Sequence, residues 1–230
     1  MSDHPDLTVL EAVRRKLVNL ARRRAFFLSP RRWSNAELRK WGHIFTGSVV
    51  NVSAWRDLDK EGGRYRDYFP NASEYVMTNY WGSEVPNDGH PDAIFLDLEA
   101  ELPESLRRRF DVVFAHTVLE HIFDIRRAFA NLADMTRDVL IVVVPFAQNE
   151  HYGGEIFGDY WRFTPLALKK MALSHNMELV HLAANDTPWY PIYILAVASR
   201  QPDRWKSVFP AIDWNRRLAR DVYVFKNAAW

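Results

Sequence analysis

Across residues 110–145 the spacing of apolar positions changes twice. FDVVFA is a short run, apolar but for Asp111, IRRAFANLADM puts Ile125, Phe129, Leu132 and Met135 at helical spacing with Arg126, Arg127 and Asp134 opposite, and residues 139–144 (VLIVVV) are an unbroken apolar run. Short continuous runs mark strands covered on both faces, and an amphipathic stretch between two of them is the crossover helix that parallel strands require. The segment therefore predicts one βαβ unit. Further apolar runs predict strands at 49–53, 74–78, 93–97, 177–183 and 192–199, which with 111–115 and 139–144 make seven. Strands interleaved with helices at this spacing predict an α/β fold built on a doubly wound, seven-stranded, mostly parallel sheet.

The flanks have their own patterns. Leu7, Leu10, Val13, Leu17 and Leu20 follow helical spacing, and Ser34-Asn-Ala-Glu37 has the capping-box form, predicting a second helix over 37–44. Gly47 punctuates the approach to the first strand, while Pro165 suits the first turn of a helix that carries Leu166, Leu168, Met171 and Leu173 to about His175. Trp205, Phe209, Ile212, Trp214, Leu218, Val222, Val224, Phe225 and Trp230 make the tail too apolar to hang free. The expected organisation is an N-terminal helical extension (1–46), an α/β domain (47–200) and a C-terminal extension packed on that domain (201–230).

Composition narrows the class. A chain of 230 residues with 48% hydrophobic content fits one folded domain with additions, and no apolar run approaches the roughly 20 residues of a membrane span. The lack of Cys excludes disulfides, thiolate zinc sites and cysteine nucleophiles, and with no secretory pattern at the start it favours a cytoplasmic protein. A net charge of +1 conceals a basic front, with Arg14, Arg15, Lys16, Arg22, Arg23, Arg24, Arg31, Arg32, Arg39 and Lys40 in the first 40 residues. Such clusters attract phosphate, anionic glycans or lipid head groups, so peripheral association with an anionic inner-membrane surface is an expectation; the plainer reading is solvated helix surface.

The phrase FDVVFAHTVLEH, followed by a helix and an apolar strand ending in Pro145, resembles the central segment of class I S-adenosylmethionine-dependent methyltransferases. DYWRFTP at 159–165 resembles methyltransferases of the type 11 kind encoded with bacterial surface-polysaccharide enzymes. The resemblance covers about 47–200 and implies a Rossmann-like methyltransferase fold with S-adenosyl-L-methionine as cofactor. It places Asp97, at the end of FLDL, on the adenine, Leu98 beside the ring, Asn51 and Ser53 at the end of the first strand, Asn79 on the ribose, and His116 with Thr117 at the methionine end.

The chain also departs from that pattern. Where the family has G-x-G-x-G, VVNVSAWRDLDKEGG puts Ser53, Trp55 and Asp57 at the glycine positions, with Gly62 and Gly63 arriving later; where it has a ribose-binding acid, YVMTNY has Asn79. Trp55 either fills the methionine or ribose site or turns outward. Two functions thus stay open, an enzyme and a methyltransferase-like binding or partner subunit with lost or altered cofactor binding.

For an enzyme, the resemblance suggests a sugar hydroxyl, glycan or glycolipid acceptor in polysaccharide biosynthesis. A hydroxyl acceptor needs a base within reach, and His151 is the first choice and His116 the second. Tyr152, Asp159, Tyr160, Trp161 and Arg162 are the acceptor-binding candidates: the aromatics suit sugar faces and the charged pair suits hydroxyl or acidic groups. An Asp and an Arg flanking two aromatics also suit a loop lock. His121, in the L-E-H phrase, reads as packing. Thr117 stands where metal-binding relatives have an acid, so no metal is expected, and the alternation Asp57, Asp59, Glu61 lacks the calcium-loop pattern. Nothing resembling the N-P-P-Y phrase of base-modifying enzymes occurs, so nucleic acid is not the expected partner.

Overall fold

The structure, a computed structural model, describes residues 29–81, 89–150, 158–185 and 192–215. Its strands are β1 (Gly47–Val52), β2 (Ala72–Asn79), β3 (Ile94–Phe95), β4 (Phe110–His116), β5 (Thr136–Ala147), β6 (Glu178–Ala184) and β7 (Ile192–Ser199), with helices α1 (Pro30–Trp41), α2 (Ile125–Met135) and α3 (Pro165–Ser174). They form one sheet in the order β3-β2-β1-β4-β5-β7-β6. The first five strands pair in parallel, and β7 runs antiparallel to both β5 and β6. Only residues 185–191 join β6 to β7, too few for the crossover a parallel pair needs.

Successive side chains of each strand alternate between two cores. Val50, Val113, Leu140 and Val142 pack with Phe129 and Leu132 of α2 and Leu168 of α3. Val49, Phe114, Ile141 and Val143 face the other way, onto Leu38 of α1, Phe45, Trp205 and Phe209. Phe209 stacks on His181 at 4.9 Å and meets Trp41 at 4.9 Å, while Trp205 lies 5.4 Å from Phe45. The tail thus joins α1 through Phe209; residues 216–230, with the remaining tail apolar positions, lie outside the described residues, as does the expected helix at 7–20.

Three boundaries differ from the sequence expectation. Helix α1 starts at Pro30, with Ser29 Oγ accepting from Arg32 N, because a proline preset for the first turn beside a serine cap outcompetes the capping box at Ser34. Ser34 is instead buried inside the helix and donates to the Arg31 carbonyl. Strand β3 is two residues long, because Asp97 Oδ1 accepts from Glu99 N and turns the chain away. β5 runs on to Ala147 beside β7. The end of β5 and the α3 cap, where Thr164 Oγ1 accepts from Ala167 N, then fix both ends of the intervening segment.

Candidate functional site

β1 lies between β2 and β4, so the chain leaves β1 toward one side of the sheet and leaves β4 toward the other. Side-by-side strands whose connections diverge leave a crevice at their carboxyl ends. A cavity of about 1190 Å³ opens there, bordered by Asn51 and Ser53 at the end of β1, Asn79 at the end of β2, Asp97 and Leu98 after β3, and His116 with Thr117 at the end of β4. Glu120, in the 3₁₀ turn Leu119–His121, and Gly158, Asp159, Tyr160 and Arg162 also line it. His151 and Tyr152 lie outside the described residues.

The loop after β1 has glycine-like backbone without glycines. Ser53, Trp55 and Asp57 have φ of 54°, 51° and 63°, a left-handed conformation that costs an ordinary residue about 1–2 kcal/mol. Side-chain bonds hold it. The buried Asp57 carboxylate accepts from Asn51 Nδ2 (2.9 Å), Tyr75 Oη (2.7 Å) and Arg66 N (3.0 Å). Asn79 accepts from Trp55 N at 2.6 Å and donates to Trp55 O at 2.9 Å, so both ends of its amide bind the loop. The Trp55 side chain is 44% exposed, with the Arg56 guanidinium 4.9 Å from its ring. It therefore forms part of the cavity rim and leaves the volume below open. Gly62 and Gly63 do not border the cavity; Gly63 N donates to Asp59 Oδ1 within a separate turn, where an added Cβ would meet the Asp59 carboxylate at 2.8 Å.

His116 sits in a defined tautomer. Arg31 Nη1 lies 3.0 Å from Nδ1, and since a guanidinium only donates, Nδ1 is the acceptor. Nε2 then carries the hydrogen and donates to Ser34 Oγ at 2.8 Å, whose own hydrogen goes to Arg31 O. Burial, with Arg31 adding to it, pushes the His116 imidazole well below its ordinary range. The ring is neutral and its lone pair is already taken, which suits a structural relay better than the general base expected of it. Arg31 also donates to Tyr65 Oη (3.1 Å) and Thr117 Oγ1 (3.0 Å). Arg31 and Lys60 both border the cavity, and neither makes an ion pair among the described residues.

Residues 158–163 are fastened to the turn after β4. Tyr160 N donates to Glu120 O, Trp161 Nε1 to Ile122 O, and His121 Nδ1 to Gly158 O at 2.6 Å. Arg162 is held by Asp159 through two bonds (2.5 and 2.7 Å) and donates to the carbonyls of Gln148, Asn149 and Trp161. Those contacts use all five guanidinium hydrogens, so Arg162 serves the loop lock and not, as the alternative expectation had it, direct contact with an acceptor. Tyr160 (51% exposed) and Trp161 (36%) keep open faces and join Phe123 (66%) at ring distances of 5.3 and 6.4 Å, an aromatic shelf beside the cavity.

Two buried oxygen atoms in the cavity wall, Glu120 Oε2 and Gln148 Oε1, have no hydrogen-bond partner among the described residues. Burial lifts the Glu120 carboxyl to about 8; Asp159 adds to the rise, and a backbone hydrogen bond, Arg31 and Arg162 oppose it. Glu120 is thus a protonated acid at neutral pH. Sequence reading passed over Glu120, Arg31 and Gln148. Glu120 had a signal, since it is the acid of the L-E-H phrase, whereas Arg31 was one arginine in a basic run and nothing local marked it.

No protein-family model matches the chain, and no curated protein does. Solved structures do. Among them are the 1,6-didemethyltoxoflavin-N1-methyltransferase of Burkholderia thailandensis, solved with 1,6-didemethyltoxoflavin and S-adenosylhomocysteine (16% identity, 86% of this chain and 92% of that one, TM-score 0.53). An S-adenosylmethionine-dependent methyltransferase from Mesorhizobium loti matches at 10% identity over 72% and 96% (TM-score 0.51), and one from Clostridium acetobutylicum at 9% over 73% and 90% (TM-score 0.51). At such identities the likeness establishes the fold, which is the Rossmann-like methyltransferase fold.

Proposed function

We propose that the protein is an S-adenosylmethionine-dependent methyltransferase, acting on a sugar hydroxyl of a glycan or glycolipid. One observation carries the methyltransferase reading: on this fold, the cavity at the β1/β4 switch point stays open although the glycine loop is rewritten, because Trp55 stands at its rim. The donor set suits a nucleoside with an amino-acid tail. Asp97 offers a carboxylate oxygen to an adenine amino group beside Leu98, the segment from Asn51 to Ser53 gives polar contact near the ribose, and Arg31 with Lys60 offers positive charge to a carboxylate. When bound, the cofactor supplies a methyl group on a sulfonium, electrophilic enough for a hydroxyl oxygen to take. The chain's own residues align that oxygen and exclude water.

The acceptor reading draws on the shelf of Phe123, Tyr160 and Trp161, whose exposed faces suit the apolar face of a sugar ring. A cytoplasmic setting with the basic N-terminal segment against an anionic membrane would bring the enzyme to lipid-linked glycans. Among the described residues no helix is long and apolar enough to cross a membrane. A second reading, a partner subunit with altered cofactor binding, rests on Asn79, whose amide is committed to Trp55 and offers the ribose no charge. Calorimetry with S-adenosylhomocysteine separates the two: micromolar binding supports the enzyme, and no heat up to millimolar ligand refutes it. Transfer of labelled methyl to lipid-linked oligosaccharide, reduced at least tenfold in Trp161→Ala, supports the acceptor class; methylation of such acceptors that is unaffected by Trp161→Ala removes the shelf from it.

A further inference from the structure

We propose that Glu120 is the ionisable counter-charge and proton acceptor of this cavity: neutral when the cavity holds no cation, ionised when the sulfonium end of the methyl donor enters, and then the base for the acceptor hydroxyl. The inference rests on the methyltransferase reading and adds a group other than the histidines named from the sequence. Its ground is geometric. The Glu120 side chain is in the cavity wall and only 4% of the residue is exposed, yet Oε2 meets no hydrogen-bond partner among the described residues. A buried polar atom without a partner keeps its desolvation cost, which a ligand that hydrogen-bonds to it or a cation beside it relieves. Gln148 Oε1, in the same wall and equally without a partner among the described residues, marks the same side of the cavity as short of donors.

The charges around Glu120 come from every side. Arg31 approaches from α1, His121 Nε2 is 3.9 Å from Oε1 on the same turn, Asp159 and Arg162 belong to the segment after β5, and the Tyr193 hydroxyl belongs to β7. Arg162 is neutralised by Asp159, and Arg31 points its donors at Tyr65, His116 and Thr117. Neither settles the carboxyl in its charged form, and burial keeps it protonated near neutral pH. A monovalent cation brought into so dry a wall favours the carboxylate.

The proton count closes over a cycle. Glu120 first releases its proton to solvent as the cation binds. The Glu120 carboxylate then takes the acceptor's hydroxyl hydrogen as the new O–C bond forms and the donor's C–S bond breaks, with the electron pair of that bond going to sulfur. The product thioether is neutral, so the protonated carboxyl is again the stable form until the next cation arrives.

Calorimetry in two buffers of different ionisation enthalpy tests this without any acceptor. At pH 7 a group titrating at about 8 is about nine-tenths protonated, so S-adenosylmethionine should release up to about 0.9 proton more than S-adenosylhomocysteine. The excess should vanish in Glu120→Gln and, in the wild type, fade as pH is raised past 9, a comparison that needs no variant. Binding of both ligands with equal proton release, or an excess that persists in Glu120→Gln, overturns the proposal and leaves the methyltransferase reading standing. Failure of both ligands to bind overturns that reading and the proposal with it.

Discussion

Replacing Asp57 should do more damage than any other single change in the loop after β1. Its carboxylate is buried and accepts from three donors on three parts of the chain: Asn51 at the end of β1, Tyr75 in β2 and the Arg66 backbone. A hydrogen bond to a charged group contributes about 1.5–3 kcal/mol, and three sharing one carboxylate fall short of additive. Asp57→Ala leaves a buried donor, Asn51, and two partly buried ones, Tyr75 and the Arg66 backbone, without an acceptor and should cost about 3–5 kcal/mol, near the upper end for point changes. At about 2–4 °C per kcal/mol for a domain of this size, its melting temperature should drop by roughly 6–20 °C. Asp57→Asn keeps the shape but must turn an amide NH₂ toward at least one existing donor, so it should fall between wild type and alanine. Thermal melts and urea titrations followed by circular dichroism give both numbers. If Asn and Ala prove equally harmful, shape and not acceptor count matters; if alanine melts within about 2 °C of wild type, the account of the loop is wrong.

The remaining expectations concern pH, cofactor and strain. Glu37 is drawn down to about 2, first by the hydrogen bond from His181 and then by Lys40 and Trp41 against the cost of burial. Because its folded value lies below its unfolded value of about 4.5, this contribution is whole above pH 4.5 and drains away as pH falls toward 2; it amounts to at most about 3 kcal/mol. Urea midpoints measured from pH 6 to pH 2 should therefore fall more steeply in wild type than in Glu37→Gln, and parallel curves would rule the pair out. Asp97→Ala should weaken S-adenosylhomocysteine by about 1–3 kcal/mol in a calorimetric titration while the melt stays unchanged, and unaltered affinity would reassign Asp97 to the turn it makes with Glu99. Trp55→Gly should leave stability within about 1 kcal/mol, since relief of the left-handed backbone and the added freedom of the unfolded chain oppose each other; a loss above 2 kcal/mol would show that the indole's contacts hold the loop.

The sheet could be read from the sequence because its strands are buried on both faces and its crossover helix on one, so period alone separates them. β7 begins and ends where its apolar run does, at Ile192 and Ser199, and α2 spans the stretch that carries the helical pattern. Local signals failed where tertiary contacts decided: β3 shortened because Asp97 turned the chain, and Ser34 lost its capping role to Ser29 and became a partner of His116. Site positions set by topology, such as Asn51, Asp97 and His116, reach the cavity because strand ends must. What those side chains do there was not legible. Asn79, His116 and Arg162 look available for a ligand in the sequence, and only their partners 24, 85 and 14 residues away reveal that their polar atoms are engaged.

The loop after β1 has its shape written in polar side chains instead of in backbone freedom. A glycine loop can be reshaped by whatever binds it, whereas one pinned by Asp57 and Asn79 meets its ligand already formed and gives up little entropy when the ligand arrives. Its vulnerabilities move accordingly. The residues that preserve its curvature include Tyr75 and Asn79, both in the neighbouring strand β2, so a mutation at Tyr75 should reach the cavity without touching it, while glycine at Ser53 or Trp55 is tolerated by the very conformation that side chains now enforce.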